Sequence, residues 1–363
     1  MPETQLSPFA VYSAQPTVRI NSQEYPKVSE SILAMEMTEQ DGGMSALELK
    51  LSNVVSDPNG GAALAFEDNQ ILKLGATIAL YAGDATAPQE IFQGAITGLE
   101  VDFPENGSPD ITVLAEDVFQ RARMARRSKV HTDVSIADLA RQLANQLSLT
   151  PVITGLTDSI GTQVQLNESD LAFLRRLLDR YDGDLQVVGK ELHVSPNADV
   201  RRGSVELVLN SQLRRAKVFA DLAHQVTEVT VNGWNPAQGQ RVSASSQGAH
   251  LRSGAGTPGS QILKKTLGDR AHHLSHLAVT TDAEAQAVAD AAFDDRARQF
   301  VCVEGTADGN PALRVGTHLT LKGLGDRFSN TYIVTRACHR FSLDVGGGYV
   351  TGFEAECAFW GGN

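Results

Sequence analysis

Residues 165–194, QLNESDLAFLRRLLDRYDGDLQVVGKELHV, constrain the fold more than any other stretch. Asn167 and Ser169 carry side-chain oxygens that can accept from the free amides of a helix's first turn. Leu171, Leu174, Leu177 and Leu178 then recur at helical spacing, with Arg175, Arg176, Asp179 and Arg180 on the opposite face. Asp182-Gly183-Asp184 stops the helix. Leu185–Val188 and Glu191–Val194 read as two short strands joined by a tight turn at Gly189-Lys190. A helix followed by a small hairpin has one apolar side and must pack on something else.

What lies on either side is β. Before it, Ser31–Glu39 and Met44–Leu51 alternate apolar and polar residues around the turn Gln40-Asp41-Gly42-Gly43. Ile71–Ala82, Ile91–Phe103 and Ile111–Ala115 continue the pattern, so residues 1–118 are expected to form a first β-barrel domain. Residues 119–197 are expected to be an α/β middle domain of two to three helices and the hairpin. Its first helix leaves the sheet over Glu116–Arg127. Its second is capped by Ser135 and striped by Ile136, Leu139, Ala140, Leu143 and Leu147. Residues 198–363 return to β as a second barrel domain. Val226–Trp234, Phe300–Gly305, Thr317–Lys322, Asn330–Phe341 and Tyr349–Phe359 read as strands. A helix over about 282–299 follows a capping box, Thr281-Asp-Ala-Glu284, and residues 243–260 read as a mobile Ser/Gly-rich loop. The fold class is therefore α+β, mainly β: two tube-like antiparallel barrels around a small α/β domain. No residue-level repeat links the two β regions; their pairing is an expectation of architecture.

Composition narrows function. At 363 residues the chain can bury a large core without disulfide or metal. Its net charge of -12 argues against specific nucleic-acid binding. Cys302, Cys338 and Cys357 lack metal spacing and read as buried free thiols. The first 15 residues lack the basic and apolar segments of a secretory signal, and no run approaches a membrane span.

Chemical motifs weaken on inspection. Gly254-Ala-Gly256-Thr-Pro-Gly259 matches a dinucleotide turn, but its flanks are Ser/Gly-rich and Pro258 removes an amide, so a flexible loop is expected. His272 and His276 could bind metal only if helical, and the HExxH glutamate is missing. Glu116-Asp117 and Asp294-Asp295 are carboxylate pairs with no sign of acid/base work. His339 sits in a strand pattern as a packed side chain. Arg121, Arg123, Arg126 and Arg127, with Lys129, form the dense basic cluster; without interleaved aromatics they are expected at subunit or domain contacts. No catalytic, cofactor or metal site is expected, and no enzyme.

The run Gln165–Val188 resembles the central segment of phage late-control D (tail, or baseplate, hub) proteins and of the hub portion of type VI secretion valine-glycine-repeat spike proteins. Phe92–Glu100, Pro104–Asp117, Val229–Trp234, Leu313–Gly316, Gly323, Tyr332, His339 and Gly348–Thr351 extend the likeness over about 31–358. The resemblance implies a homotrimer whose two barrels per chain present six similar units, a symmetry adaptor joining a six-fold tail tube to a three-fold spike. It implies as partners the tube or tube-initiator protein, the spike, other baseplate proteins, and tape-measure protein or cargo in the lumen. It also implies synthesis in the bacterial cytoplasm and assembly into a virion tail or a tail-like injection particle. Spike proteins continue into a further β domain and needle, whereas this chain stops at Asn363. A tail-associated cell-wall hydrolase and a polysaccharide-binding module are the rival readings. The first needs a cleft with paired carboxylates; the second needs clustered exposed aromatics, yet aromatics are only 6% of residues.

Overall fold

Alternating apolar residues place one face of each main lobe strand in a core, and the main strands of both lobes join into one sheet. The computed structural model describes residues 15–56, 61–67, 69–84, 87–252, 254–275, 277–344 and 348–361. In the first lobe the main strands are β1 (Thr17–Ile20), β2 (Ile32–Gln40), β3 (Ala46–Ser52), β4 (Thr77–Ala82), β5 (Gln89–Asp102) and β6 (Asp110–Glu116). Met35, Met37, Leu47, Leu49, Leu51 and Val113 point inward from them to one core.

The middle region holds α1 (Phe119–Met124), β7 (Arg126–His131), α2 (Ile136–Leu147), β8 (Thr150–Ile153), β9 (Gln163–Ser169), α3 (Asp170–Arg180), β10 (Gly183–Val188) and β11 (Glu191–Pro196). Ser135 starts α2 by accepting from the Asp138 amide at 3.1 Å, and Asp138 accepts back from the Ser135 amide. Ser169, not Asn167, caps α3, accepting from the Ala172 amide. Asn167 lies in β9 with φ 50°. The leucine stripe of α3 is buried against α2 and the hairpin. The hairpin turns at Gly189-Lys190, with Val188 opposite Glu191, as its sequence requires.

The second lobe comprises β12 (Ser204–Val208), β13 (Leu213–Ala220), β17 (Val301–Asp308), β18 (His318–Lys322), β19 (Asn330–Ser342) and β20 (Gly348–Cys357). Between β13 and β17 lies an inserted unit: β14 (Glu228–Asn235), β15 (Gln240–Ser246), α4 (Gly259–Leu267), β16 (Ala271–Leu274) and α5 (Asp282–Arg298). The insert packs around its own core of Val229, Val231, Val288 and Phe293, apart from the lobe's core of Leu319, Tyr332 and Phe353.

Several expectations are corrected here. The 243–260 stretch is not one loop: Ser243–Ser246 complete β15 and Gly259 opens α4. The helix expected over 116–127 is confined to 119–124, because Glu116 still pairs in β6 and Arg126 already pairs in β7. The box at Thr281 is half formed. Thr281 accepts from the Glu284 amide, but Glu284 accepts from the amide of Thr280, one residue early, and takes Arg180 on its other oxygen.

The lobes share a topology. The thirteen-stranded sheet runs β13-β17-β20-β19-β2-β3-β6-β5-β4-β1 and ends in the short strand Gln23–Glu24 beside β1, with β18 branching from β19 and β12 pairing with β18. Lobe one is thus ordered β1-β4-β5-β6-β3-β2 and lobe two β12-β18-β19-β20-β17-β13. Each reads first, fourth, fifth, sixth, third, second in chain order. Their bulges match as well. β5 shifts register against β6 between Ile96 and Gly98, and β19 shifts against β20 between Val334 and Arg336. β2 shifts against β3 between Ile32 and Ala34, and β13 against β17 between Leu213 and Arg215. One direction differs: β1 runs antiparallel to β4, whereas β12, arriving from the middle region, runs parallel to β18.

Candidate functional site: the seam between lobes and the open sheet edges

The lobes meet along β19. Its first part, Asn330–Ile333, pairs with β18 of its own lobe. Beyond the bulge, Arg336–Ser342 pair with β2 of the other lobe, from Arg336 opposite Gln40 to Ser342 opposite Ala34. The bulge lets one strand serve two lobes by bending it where pairing changes hands. At that point the Asp41 amide donates to the Thr335 carbonyl at 2.8 Å.

A buried polar group locks this seam. Glu39 of β2 is 2% exposed and accepts from Arg314 through both oxygens, at 2.8 and 2.6 Å. The Val315 amide donates to the same carboxylate. Burial pushes the Glu39 carboxyl up, but the Arg314 charge and hydrogen bonds more than reverse this and hold it below its ordinary value. Beside it, His339 is fully buried. Its Nδ1 lies 2.8 Å from the Tyr349 hydroxyl and 3.3 Å from that of Thr351. Burial, with the Arg314 charge, pushes His339 down to about 3, so the ring is neutral. On the exposed face of the seam, Arg340 Nε donates to Glu36 at 2.9 Å across directly opposed positions.

Two edges resemble this seam but are open. β5 pairs with β4 up to Ala95, and the Ile96 amide still donates to the Ala76 carbonyl. From Thr97 to Asp102, among the described residues, no strand pairs with that side. Leu99, Val101 and Phe103 are exposed there, Phe103 at 65%. The matching positions in β19, Ala337, His339 and Phe341, are buried by β2. At the far end of the sheet, among the described residues, β13 pairs with β17 alone from Arg215 onward, and Phe219 is 61% exposed.

A charged junction joins the middle region to the insert and lobe two. Arg298 donates to Asp182 at 2.5 Å and to Asp295 at 2.6 Å. Arg202 pairs with Asp184, and Arg180 with Glu284 at 2.7 Å. Burial pushes Glu356, beside Arg298, up to about 7.

Arg123 pairs with Glu116 at 2.6 Å, tying α1 to β6; Arg127 faces Asp170; Arg126 donates to the Asn167 carbonyl; Arg121 is exposed. Asp117 accepts from the Ser45 and Phe119 amides, and burial pushes it up to about 6. Asp294 accepts from the Ala249 and His250 amides, pinning the loop before α4. Asp117 lines a narrow crevice with Glu90 and Arg314. His272 and His273 lie on strand β16, not on a helix, which removes the i, i+4 geometry; His276 lies outside the described residues.

The glycine motif does open a helix. A Cβ on Gly256 would lie 1.7 Å from the Gly361 carbonyl oxygen, and one on Gly259 would lie 2.5 Å from the Phe300 ring. Gly254 and Gly256 admit the strand Phe359–Trp360, which packs against the turn. All three cysteines are free, Cys338 and Cys357 being buried. Among the described residues no cluster of three metal-ligating side chains occurs, and no helix is long and apolar enough to cross a membrane.

This fold is that of phage tail proteins. The chain superposes on the 43 kDa tail protein of prophage MuSo2 from Shewanella oneidensis with a TM-score of 0.68 at 11% identity, covering 94% of this chain and 97% of that one. A tail protein of Neisseria meningitidis MC58 gives 0.65 at 11% identity, over 94% and 96%. The E. coli c3393 protein, described as a type VI secretion component with structural similarity to T4 tail proteins gp27 and gp5, gives 0.58 at 12% identity, over 95% and 79%. The family model described as Alg8 N-terminal domain matches residues 33–342, and the chain belongs to that family. Comparison with curated proteins finds no match.

Proposed function

We propose that this protein is the structural baseplate hub of a contractile phage tail or tail-like injection system, late-control D in type, and that three copies form a ring between a six-fold tube and a three-fold spike. One observation carries the reading: both lobes have the same strand order and bulges, and they are fused edge to edge into one sheet. A chain built from two like units can present six similar faces from three copies, and a closed ring buries sheet edges that would otherwise recruit stray strands. The solved structures that share the fold include phage tail proteins and a type VI component.

The work proposed is mechanical, without catalysis. The crevice lined by Glu90, Asp117 and Arg314 encloses about 70 Å³, room for a few waters, and in the wider grooves of about 390 and 350 Å³ Glu36 is paired with Arg340 and Glu354 with Arg336. The tube, spike and cargo are the proposed partners. Co-purification of the full chain with a spike protein tests the reading. A complex with three copies of this chain per spike trimer supports it. A lone chain that clears peptidoglycan would replace it with the hydrolase reading.

A further inference from the structure

We infer that a second copy of this chain docks strand β13 onto the open half of β5, repeating between chains the seam that joins the lobes within one chain. The inference rests on the hub reading and names the surface through which copies meet. The internal seam pairs the fifth strand of lobe two, past its bulge, with the second strand of lobe one. The two strands left open are their counterparts: the fifth strand of lobe one, past its bulge, and the second strand of lobe two.

The shared bulges fix the register. Gly98 on β5 stands where Arg336 stands on β19, and Arg215 on β13 where Ala34 stands on β2. Carrying the internal register across sets Leu99 opposite Ala220, Val101 opposite Val218, and Asp102 opposite Lys217. The exposed Leu99 and Val101 would then cover the half-buried Ala220 and Val218, while the exposed Phe219 falls on the other face, opposite Glu100.

The charges support the match. Inside the chain the fifth strand carries Arg340 and the second strand Glu36. At the open edges the fifth strand carries Asp102 and the second strand Lys217, the same pair with polarity reversed. Neither Asp102 nor Lys217 forms an ion pair within the chain among the described residues.

The test uses the full chain, co-expressed with a spike protein and separated by size. Asp102→Lys and Lys217→Asp should each lower the assembled fraction at least about tenfold, while the double exchange restores it. Unchanged melting of each variant would show that it folds. Independently, Val101→Cys with Val218→Cys should give an oxidant-dependent, reducible cross-link between chains, which neither single variant gives. An assembled ring that shows no such cross-link and tolerates both single charge reversals would overturn the docking while leaving the hub reading intact. A wild-type chain that never assembles, with or without the spike, would overturn both.

Discussion

The two lobes follow one strand order but fill it differently. In lobe one, Leu49 of β3 faces Val113 of β6. At the corresponding place in lobe two, Gly305 of β17 faces Phe353 of β20, and a Cβ on Gly305 would come within 2.3 Å of the phenyl ring. Volume is traded across the strands rather than kept residue by residue, so topology persists where sequence identity does not. The connections differ more. The link between second and third strands is a turn at 41–45 in lobe one and the whole inserted unit, 221–300, in lobe two. One lobe also keeps an edge that the other covers: Leu99 and Val101 are exposed where Ala337 and His339 are buried.

The seam offers the most severe way to break this pairing of lobes. Glu39→Ala strands the Arg314 guanidinium and the Val315 amide. The change should cost about 3–5 kcal/mol in urea unfolding, toward the lower figure because about a quarter of the Arg314 side chain reaches solvent. A loss below 1 kcal/mol, about that of an exposed ion pair, would mean that the buried pair does not hold the lobes together.

Next comes the volume trade. Gly305→Leu, which copies lobe one into lobe two, should destabilise by about 1–3 kcal/mol or more through overpacking. Phe353→Val in the same chain should recover part of that loss. If the two changes simply add, the strands do not share one packing solution.

A pH comparison sharpens the seam further. His339 titrates at about 3 folded against an ordinary 6.5, so the unfolded chain binds more protons between those values. Its contribution is fully present above about pH 6.5 and is lost as pH falls toward 3. Asp117 and Glu356, raised to about 6 and about 7, act in the opposite sense, so the readout is a difference between proteins. The stability of His339→Gln should fall less steeply than wild type between pH 6.5 and 4. Parallel curves would refute the assignment.

The smallest effect lies away from the lobes. Ser135→Ala removes one cap from α2 and should cost about 1 kcal/mol by thermal melting while leaving assembly unchanged. Loss of assembly would show that the middle region is not independent of the ring.

What could be read from the chain followed periodicity. The α3 stripe, the α2 cap and the hairpin at Gly189 depend on neighbours within a few residues, and all three form. Strand β7, RRSKVH, escaped because only His131 is buried, which leaves no apolar alternation to detect. Strand β13 escaped because its bulge at Arg214 interrupts the alternation of Leu213 with Ala216, Val218 and Ala220. The relation between lobes survives in sequence only as fragments such as Ile96-Thr97 with Phe103 and Val334-Thr335 with Phe341. The insert at 221–300 destroys any constant spacing between them. Glu39 and Arg314 lie too far apart in the chain for any local pattern to join them, and only the folded sheet brings them together.

The most direct test of the account is the mass of the assembled particle. Native mass spectrometry of the full chain co-expressed with a spike protein should find three copies of this chain in one complex. A complex holding one or two copies would contradict the account, as would a chain that remains alone beside an assembled spike.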